Sequence, residues 1–260
     1  MRRMKAVITY DGTNFCGFQS QPNLRTVQSE VEKALTRIHK GEEVIITASG
    51  RTDAGVHAHG QVFHFDTSLA ISEEKWPFAF RGQLPLDIEI REITEVDRDF
   101  HARYDVEKKE YRYRVLCSRT RDVFSRQYQH YVPYQVDFER MVAGSKHLLG
   151  KHDFTSFCST KTATSNRVRT IYELDIERDG NEFVFRIVGN GFLYNMVRII
   201  VGTLLEVGRG KREPEDIKSI LEAQNRKRAG KTAPGHGLYL WEVTYKDETA
   251  QLNAEKGRKN

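Results

Sequence analysis

Apolar and polar positions follow two periods along this chain, one near 3.6 residues and one of two, and the alternation between them predicts a mixture of helices and strands. Val7–Tyr10 reads as a first strand, ended by Asp11-Gly12. Val27, Val31, Leu35 and Ile38 then recur at helical spacing behind Thr26, whose hydroxyl can cap a helix, so a helix is predicted from Thr26 to about Lys40 with Gly41 as its stop. Glu43–Thr47 reads as a buried strand, the chain turns through Ser49–His57, and Phe63 and Phe65 alternate in a strand over Gln61–Phe65. Ser72 opens a short helix through Trp76-Pro77, and Ile88–Val96 alternates as a strand. In Glu110–Cys117, Tyr111, Tyr113 and Val115 fall on one face and Arg112 and Arg114 on the other.

The second half uses the same grammar. Asp137 caps a predicted helix through about Leu149, ended by Gly150. Val168–Glu177 and Glu182–Val188 are strands joined at Asp179-Gly180, a dipeptide suited to the positive φ of a tight hairpin. Phe192–Glu206 reads as an apolar helix stopped by Gly208, Pro214 opens another through Ile217, Ile220 and Leu221, and Leu238–Tyr245 is a final strand. The predicted class is α+β: two similar halves with a mixed, mainly antiparallel sheet and an active-site cleft between them. The predicted organisation is residues 1–133, residues 134–246 and a polar tail over 247–260.

With 260 residues and 38% hydrophobic positions the chain can bury a real core, which excludes disordered and low-complexity classes. The best apolar run, Ile199–Leu205, is interrupted by Gly202 and Thr203 and is too short to span a bilayer. Ala6–Tyr10 is likewise too short for a signal sequence, and Cys16, Cys117 and Cys158 have neither disulfide-framework nor zinc spacing, so a reducing cytoplasm is expected. The formal net charge is only +5, but seven basic residues against two acids between Lys108 and Tyr131 account for all of it. Tyr111, Tyr113, Phe124, Tyr128 and Tyr131 interleave with them. Basic residues suit phosphates and flat rings suit unstacked bases, so the stretch reads as a nucleic-acid surface or, equally, as a solvated strand pair with core tyrosines.

The sharpest local feature is Ser49-Gly50-Arg51-Thr52-Asp53-Ala54-Gly55-Val56-His57. Its glycines allow a tight loop, and Arg51 two residues from Asp53 favours the ionised carboxylate that a nucleophile or base requires. The same residues also fit an ordinary turn with an incidental ion pair. His57 and His59 near Asp53 have no third and fourth ligand at a metal spacing, so no metal is expected. Gly189-Asn190-Gly191 lacks the third glycine of a nucleotide-binding turn. Arg198, within the apolar run Phe192–Ile200, needs an anionic partner if buried and none if it reaches solvent.

Beyond these residues, Tyr10-Asp11-Gly12-Thr13, Gly17-Phe18-Gln19, Gln21-Pro22-Asn23, Arg25-Thr26-Val27-Gln28 and Gly50–Ala58 resemble signature blocks of the tRNA pseudouridine synthase A family. Phe100–Arg103, Lys109–Tyr113, Asp153–Phe157, Asn190–Arg198 and Ala233–Leu240 continue the resemblance in family order. The resemblance implies a pseudouridine synthase fold and an isomerase that converts uridines at positions 38, 39 and 40 of the tRNA anticodon stem-loop, with base flipping and no cofactor. It implies Asp53 as the catalytic aspartate, Tyr111 against the target base, Arg198 paired with the aspartate and Leu238 lining the pocket. Arg51, Arg103, Lys109 and Arg112 are the implied RNA contacts, and a cytoplasmic homodimer gripping tRNA is the implied assembly. Two rivals stand beside it: an RNA-binding protein without catalysis, and a hydrolase using Asp53 on a glycosidic bond, which ordinarily needs a second carboxylate.

Overall fold

Met4, Ala6, Ile8 and Tyr10 alternate inward along β1 (Arg2–Tyr10), so one face of this strand is core and the other carries Arg3, Lys5 and Thr9. The computed structural model describes residues 1–160 and 164–246, and the expected tail over 247–260 lies outside them. Helix α1 (Val27–Ile38) starts where expected: the Thr26 and Ser29 side chains form a reciprocal capping box, and Lys40 and Gly41 leave the helix at φ 56° and 102°. Strand β2 is only Thr47–Ala48, because Ile45 faces solvent while Val44 and Ile46 turn inward without a ladder partner. The buried strand expected at Glu43–Thr47 is therefore an irregular segment up to Ile46, with only Thr47 in the ladder. Strand β3 (His57–Thr67) is longer than expected, and α2 (Trp76–Arg81) and β4 (Ile88–Val96) follow.

Strand β5 (Val106–Cys117) leads to the short β6 (His130–Val132), then α3 (Phe138–Ser145), β7 (Gly150–Asp153), β8 (Val168–Asp179) and β9 (Glu182–Gly189). Helix α3 ends at Ser145 and tightens into a 3-10 turn over Lys146–Leu148, short of the expected Leu149. Helix α4 (Met196–Gly208) begins four residues later than its apolar pattern, because Asn195 at φ 61° breaks the run from Phe192. Helix α5 (Asp216–Glu222) and β10 (Leu238–Tyr245) complete the order.

Among the described residues the chain forms two compact units: Met1–Glu107 with 240–246, and Lys108–Tyr239. The basic and aromatic strand thus belongs with the second unit, whereas the sequence alone suggested a division at residue 133. In the first unit the strand order is β4-β1-β3-β10, with β2 beside β3. Strand β1 pairs antiparallel with both β3 and β4, and Trp76, Phe63, Phe65 and Phe80 fill the core beneath, each worth about 2–3 kcal/mol of burial. In the second unit the order is β5-β9-β8-β7, all antiparallel, with β6 parallel to β5. The β8–β9 hairpin turns at Gly180, φ 57°, and Tyr113, Phe183, Phe185, Ile199 and Leu204 are fully or almost fully buried. The class is mixed α+β, as the periodicity predicts.

Candidate active site

Asp53 sits half-buried in the loop between β2 and β3, and side chains and backbone of β1, β3 and the turn after β1 hydrogen-bond to that loop. Gln61, fully buried on β3, accepts from Ser49 Oγ at 2.7 Å and donates to the Gly50 carbonyl at 3.0 Å. Across from it the Tyr10 hydroxyl and Thr52 Oγ1 share a 2.7 Å hydrogen bond. Burial raises the Tyr10 phenol above its ordinary value, against the opposing hydrogen bonds to Thr52 and Gln61, so it stays a neutral hydroxyl. The Val56 N–H closes a turn on the Asp53 carbonyl, Gly55 N–H donates to the Phe15 carbonyl, and Phe18 N–H donates to Thr52 O.

Close backbone approach explains the glycine at position 12. A Cβ there would lie 2.0 Å from the Val56 carbonyl oxygen, so the turn after β1 and the Asp53 loop meet only because the side chain is absent. His57 Nδ1 accepts the Gly12 N–H at 3.0 Å, fixing the other end of the loop. His59 stacks on Trp241 with centroids 4.2 Å apart and planes 7° apart. Both histidines of the sequence motif are thus occupied in packing, and among the described residues no cluster of three metal-type ligands occurs. Arg51 is exposed beside Asp53, and Arg103, also exposed, lies with its guanidinium 5.9 Å from the Tyr104 ring centre.

The second unit brings Tyr111, Arg198 and Leu238 into a different kind of setting. Tyr111, 9% exposed, meets Phe192 edge-to-face with centroids 5.0 Å apart, and Leu238 is buried. Arg198, in the first turn of α4, is half-buried, and its guanidinium donates to the Ala233 carbonyl at 2.7 Å and to Asn195 Oδ1 at 2.8 Å. The Ala233 N–H returns the contact to the Arg198 carbonyl. Neutral oxygens thus hold this arginine alongside any anion, a device the apolar pattern did not disclose. One residue further on, the Pro234 carbonyl accepts from Tyr113, whose ring lies 2.8 Å from where a Gly237 Cβ would stand.

The basic and aromatic stretch divides in two. On β5, Arg112 pairs with Glu110 at 2.6 Å and Arg114 with Glu182 at 3.4 Å, while Tyr113 is core, so the solvated-strand reading describes this part. Arg186 on β9 adds ion pairs to Glu110, Glu173 and Asp175. Beyond β5, Arg119, Arg121 and Arg126 are exposed together with Phe124 at 89%. Lys109 is half-buried at the start of the stretch. The residues that sequence reasoning missed are Tyr10 and Gln61; Gln61 shares its strand with His59, His64 and Asp66, so its polarity was no distinct signal.

A family model described as tRNA pseudouridine synthase matches residues 6–105 and 145–246. The chain belongs to the tRNA pseudouridine synthase family. It is 59% identical to tRNA pseudouridine synthase A of Anoxybacillus flavithermus over 94% of this chain and 99% of that one. It is 56% identical to tRNA pseudouridine synthase A of Geobacillus kaustophilus over 95% of this chain and 96% of that one. Among solved structures, the archaeal box H/ACA sRNP Nop10-Cbf5 complex matches at TM-score 0.35 and 16% identity, over 78% of this chain and 43% of that one. Within this synthase, Arg51, Asp53 and Arg103 fall in the first matched segment and Arg198 and Leu238 in the second. Lys109, Tyr111 and Arg112 lie between the two segments.

Proposed function

We propose that the chain isomerises uridine to pseudouridine in tRNA, acting at positions 38, 39 and 40 of the anticodon stem-loop. Near full-length identity to proteins named tRNA pseudouridine synthase A carries this reading. The reaction breaks the N-glycosidic bond of uridine, turns the uracil and rejoins it through carbon, so substrate and product have the same atoms and no redox partner is consumed. Asp53 acts as the ionised nucleophile. A loop pinned on both sides by Tyr10, Gln61 and Gly12 suits that task, because a nucleophile held in place reaches the reacting atom without further ordering.

The target base must leave the stack, at a cost of a few kcal/mol, and a flat ring to receive it offsets that cost. Tyr111 takes this role, with Leu238 as apolar lining and Arg198 as the fixed cation of the pocket. Arg51, Arg103 and Lys109 contact RNA, and Arg112, engaged with Glu110, contributes less. The active form is a cytoplasmic homodimer that grips one tRNA with both subunits, and neither a metal nor a cofactor takes part.

Incubation with unmodified tRNA, followed by chemical blocking of reverse transcription at pseudouridine, tests the reading. The wild-type chain forms pseudouridine at the stated positions, and Asp53→Asn reduces it to background while tRNA affinity stays within about threefold. Appreciable residual activity in Asp53→Asn would sink the assignment. Release of free uracil would make the chain a hydrolase instead.

A further inference from the structure

Between Asn225 and Ala233 the chain carries Arg226, Lys227, Arg228 and Lys231 and no acid. Arg226 is half-buried and donates to the Ala229 carbonyl and Thr232 Oγ1, so it belongs to the framework. Lys227, Arg228 and Lys231 are exposed. An ordinary charged run is a solvated segment with little to hold it. This one is docked. Asn225 Oδ1 accepts from Lys227 N–H, Arg228 N–H donates to the Asn225 carbonyl, and Gly230 N–H donates to Thr203 Oγ1 on α4 at 2.9 Å.

Two glycines let the loop and α4 touch backbone to backbone. A Cβ on Gly202 would stand 1.8 Å from the Lys231 carbonyl oxygen, and one on Gly230 would stand 2.8 Å from Thr203 Cα. Further along, Ala233 exchanges two hydrogen bonds with Arg198. The segment 230–233 therefore runs along α4 from Thr203 back to Arg198, about 7.5 Å at 1.5 Å per residue. Glu206, the nearby acid on α4, already accepts from Arg212 at 2.6 Å and from the Lys231 N–H. Cations carried on a docked backbone meet a polyanion without that backbone first being ordered, which lowers the entropic cost of binding.

We infer that Lys227, Arg228 and Lys231 form a phosphate-contact surface that holds the tRNA backbone beside the Arg198 segment. The inference rests on the tRNA reading above and deepens it, adding a basic surface separate from the 108–131 stretch. Each phosphate neutralised releases condensed counterions, so the surface has a direct signature in the salt dependence of binding.

The experiment measures the affinity of the full chain for unmodified tRNA between about 50 and 200 mM salt, with pseudouridine formation followed in parallel. In the variant Lys227→Gln/Arg228→Gln/Lys231→Gln, the log–log salt slope becomes shallower by about 2 and KM for tRNA rises about tenfold, while kcat at saturating tRNA and the melting temperature hold. Lys218→Gln, an exposed cation on α5, leaves the slope unchanged, and Lys227→Arg with Lys231→Arg keeps it as well. Single Gln variants, each lowering the slope by about 0.7, decide the matter if the triple variant unfolds. A triple variant with the wild-type slope overturns the inference even if the wild-type chain makes pseudouridine. A wild-type chain that makes none overturns the tRNA reading, while the slope still decides whether these residues bind phosphate.

Discussion

The two units secure their functional side chains by opposite means. In the first, Asp53 stands on a loop whose shape is set by buried hydrogen bonds from Tyr10, Gln61 and His57 and by one glycine contact. In the second, Arg198 stands on a helix whose apolar residues are buried, and polar contacts that include Ala233 and Asn195 set the direction of its guanidinium. A loop has no repeating ladder of its own, so its backbone groups must find specific partners, while a helix satisfies its backbone internally and can be positioned by packing. Losing a polar contact or a few cubic ångströms of clearance should therefore hurt the first unit's site more than the second's.

The largest effect is expected at position 12. Gly12→Ala places a Cβ 2.0 Å from the Val56 carbonyl oxygen, and since backbone must move to relieve it, about 3 kcal/mol of stability and most of the pseudouridine-forming activity are lost. Gly82→Ala, at φ −80° with nothing within reach of the new methyl group, is neutral when both variants are unfolded in a denaturant titration. If the two variants unfold alike, close approach at Gly12 is not what shapes the loop.

A matched pair of hydroxyl deletions sharpens the comparison. Tyr10→Phe removes the buried 2.7 Å hydrogen bond to Thr52 together with the contact to Gln61, Tyr113→Phe removes a part-buried 2.7 Å hydrogen bond to the Pro234 carbonyl, and each costs about 1 kcal/mol of stability. Tyr10→Phe also lowers kcat about tenfold with KM for tRNA nearly unchanged, because Thr52 next to Asp53 is released. Tyr113→Phe changes kcat less than threefold, since Ala233 keeps its own ties to Arg198. Equal kcat losses would erase the distinction between the units.

A pH dependence is shared by the two units. Burial, helped in the first unit by Arg3 and His101, lowers His64 to about 4, and burial helped by His236 lowers His130 to about 4. The unfolded chain protonates these rings near 6.5 while the folded one does not, so it binds more protons between those values and stability falls as pH drops from about 6.5 to about 4. His64 Nδ1 accepts from Ala102 N–H, which the neutral ring can do. His64→Asn keeps an acceptor there and removes a proton-binding site, so its melting temperature falls less over that pH range than the wild type's. A parallel decline in both would exclude His64 as a source.

Much of the fold was legible beforehand, and the misses have local causes. Strong periods gave α1, β4, the β8–β9 hairpin and β10 to within a few residues, because the burial that enforces each period acts along a single element. The β2 region failed since a short apolar run does not reveal whether a ladder partner exists, and the start of α4 failed since one left-handed Asn outweighed four apolar neighbours. The Asp53 loop stood out by residue type, yet its clamps at Tyr10 and Gln61 did not, because each lies on a strand whose pattern a single polar contact does not disturb.

By itself the sequence determined the elements, the class, the family blocks and the identity of the charged and aromatic residues, all properties of the chain read locally or in order. Tertiary structure alone decided which charges are available. Arg114 meets Glu182, and Arg186 meets Glu110, Glu173 and Asp175, only because the β5–β9 and β8–β9 registers bring distant positions side by side, whereas Arg112 meets Glu110 two residues away on its own strand. Lys227, Arg228 and Lys231 become a fixed surface only because two glycines let their loop lie against α4. The physical reason is that charge is a property of a residue, while its neutralisation and its rigidity are properties of distances that no pattern along the chain contains.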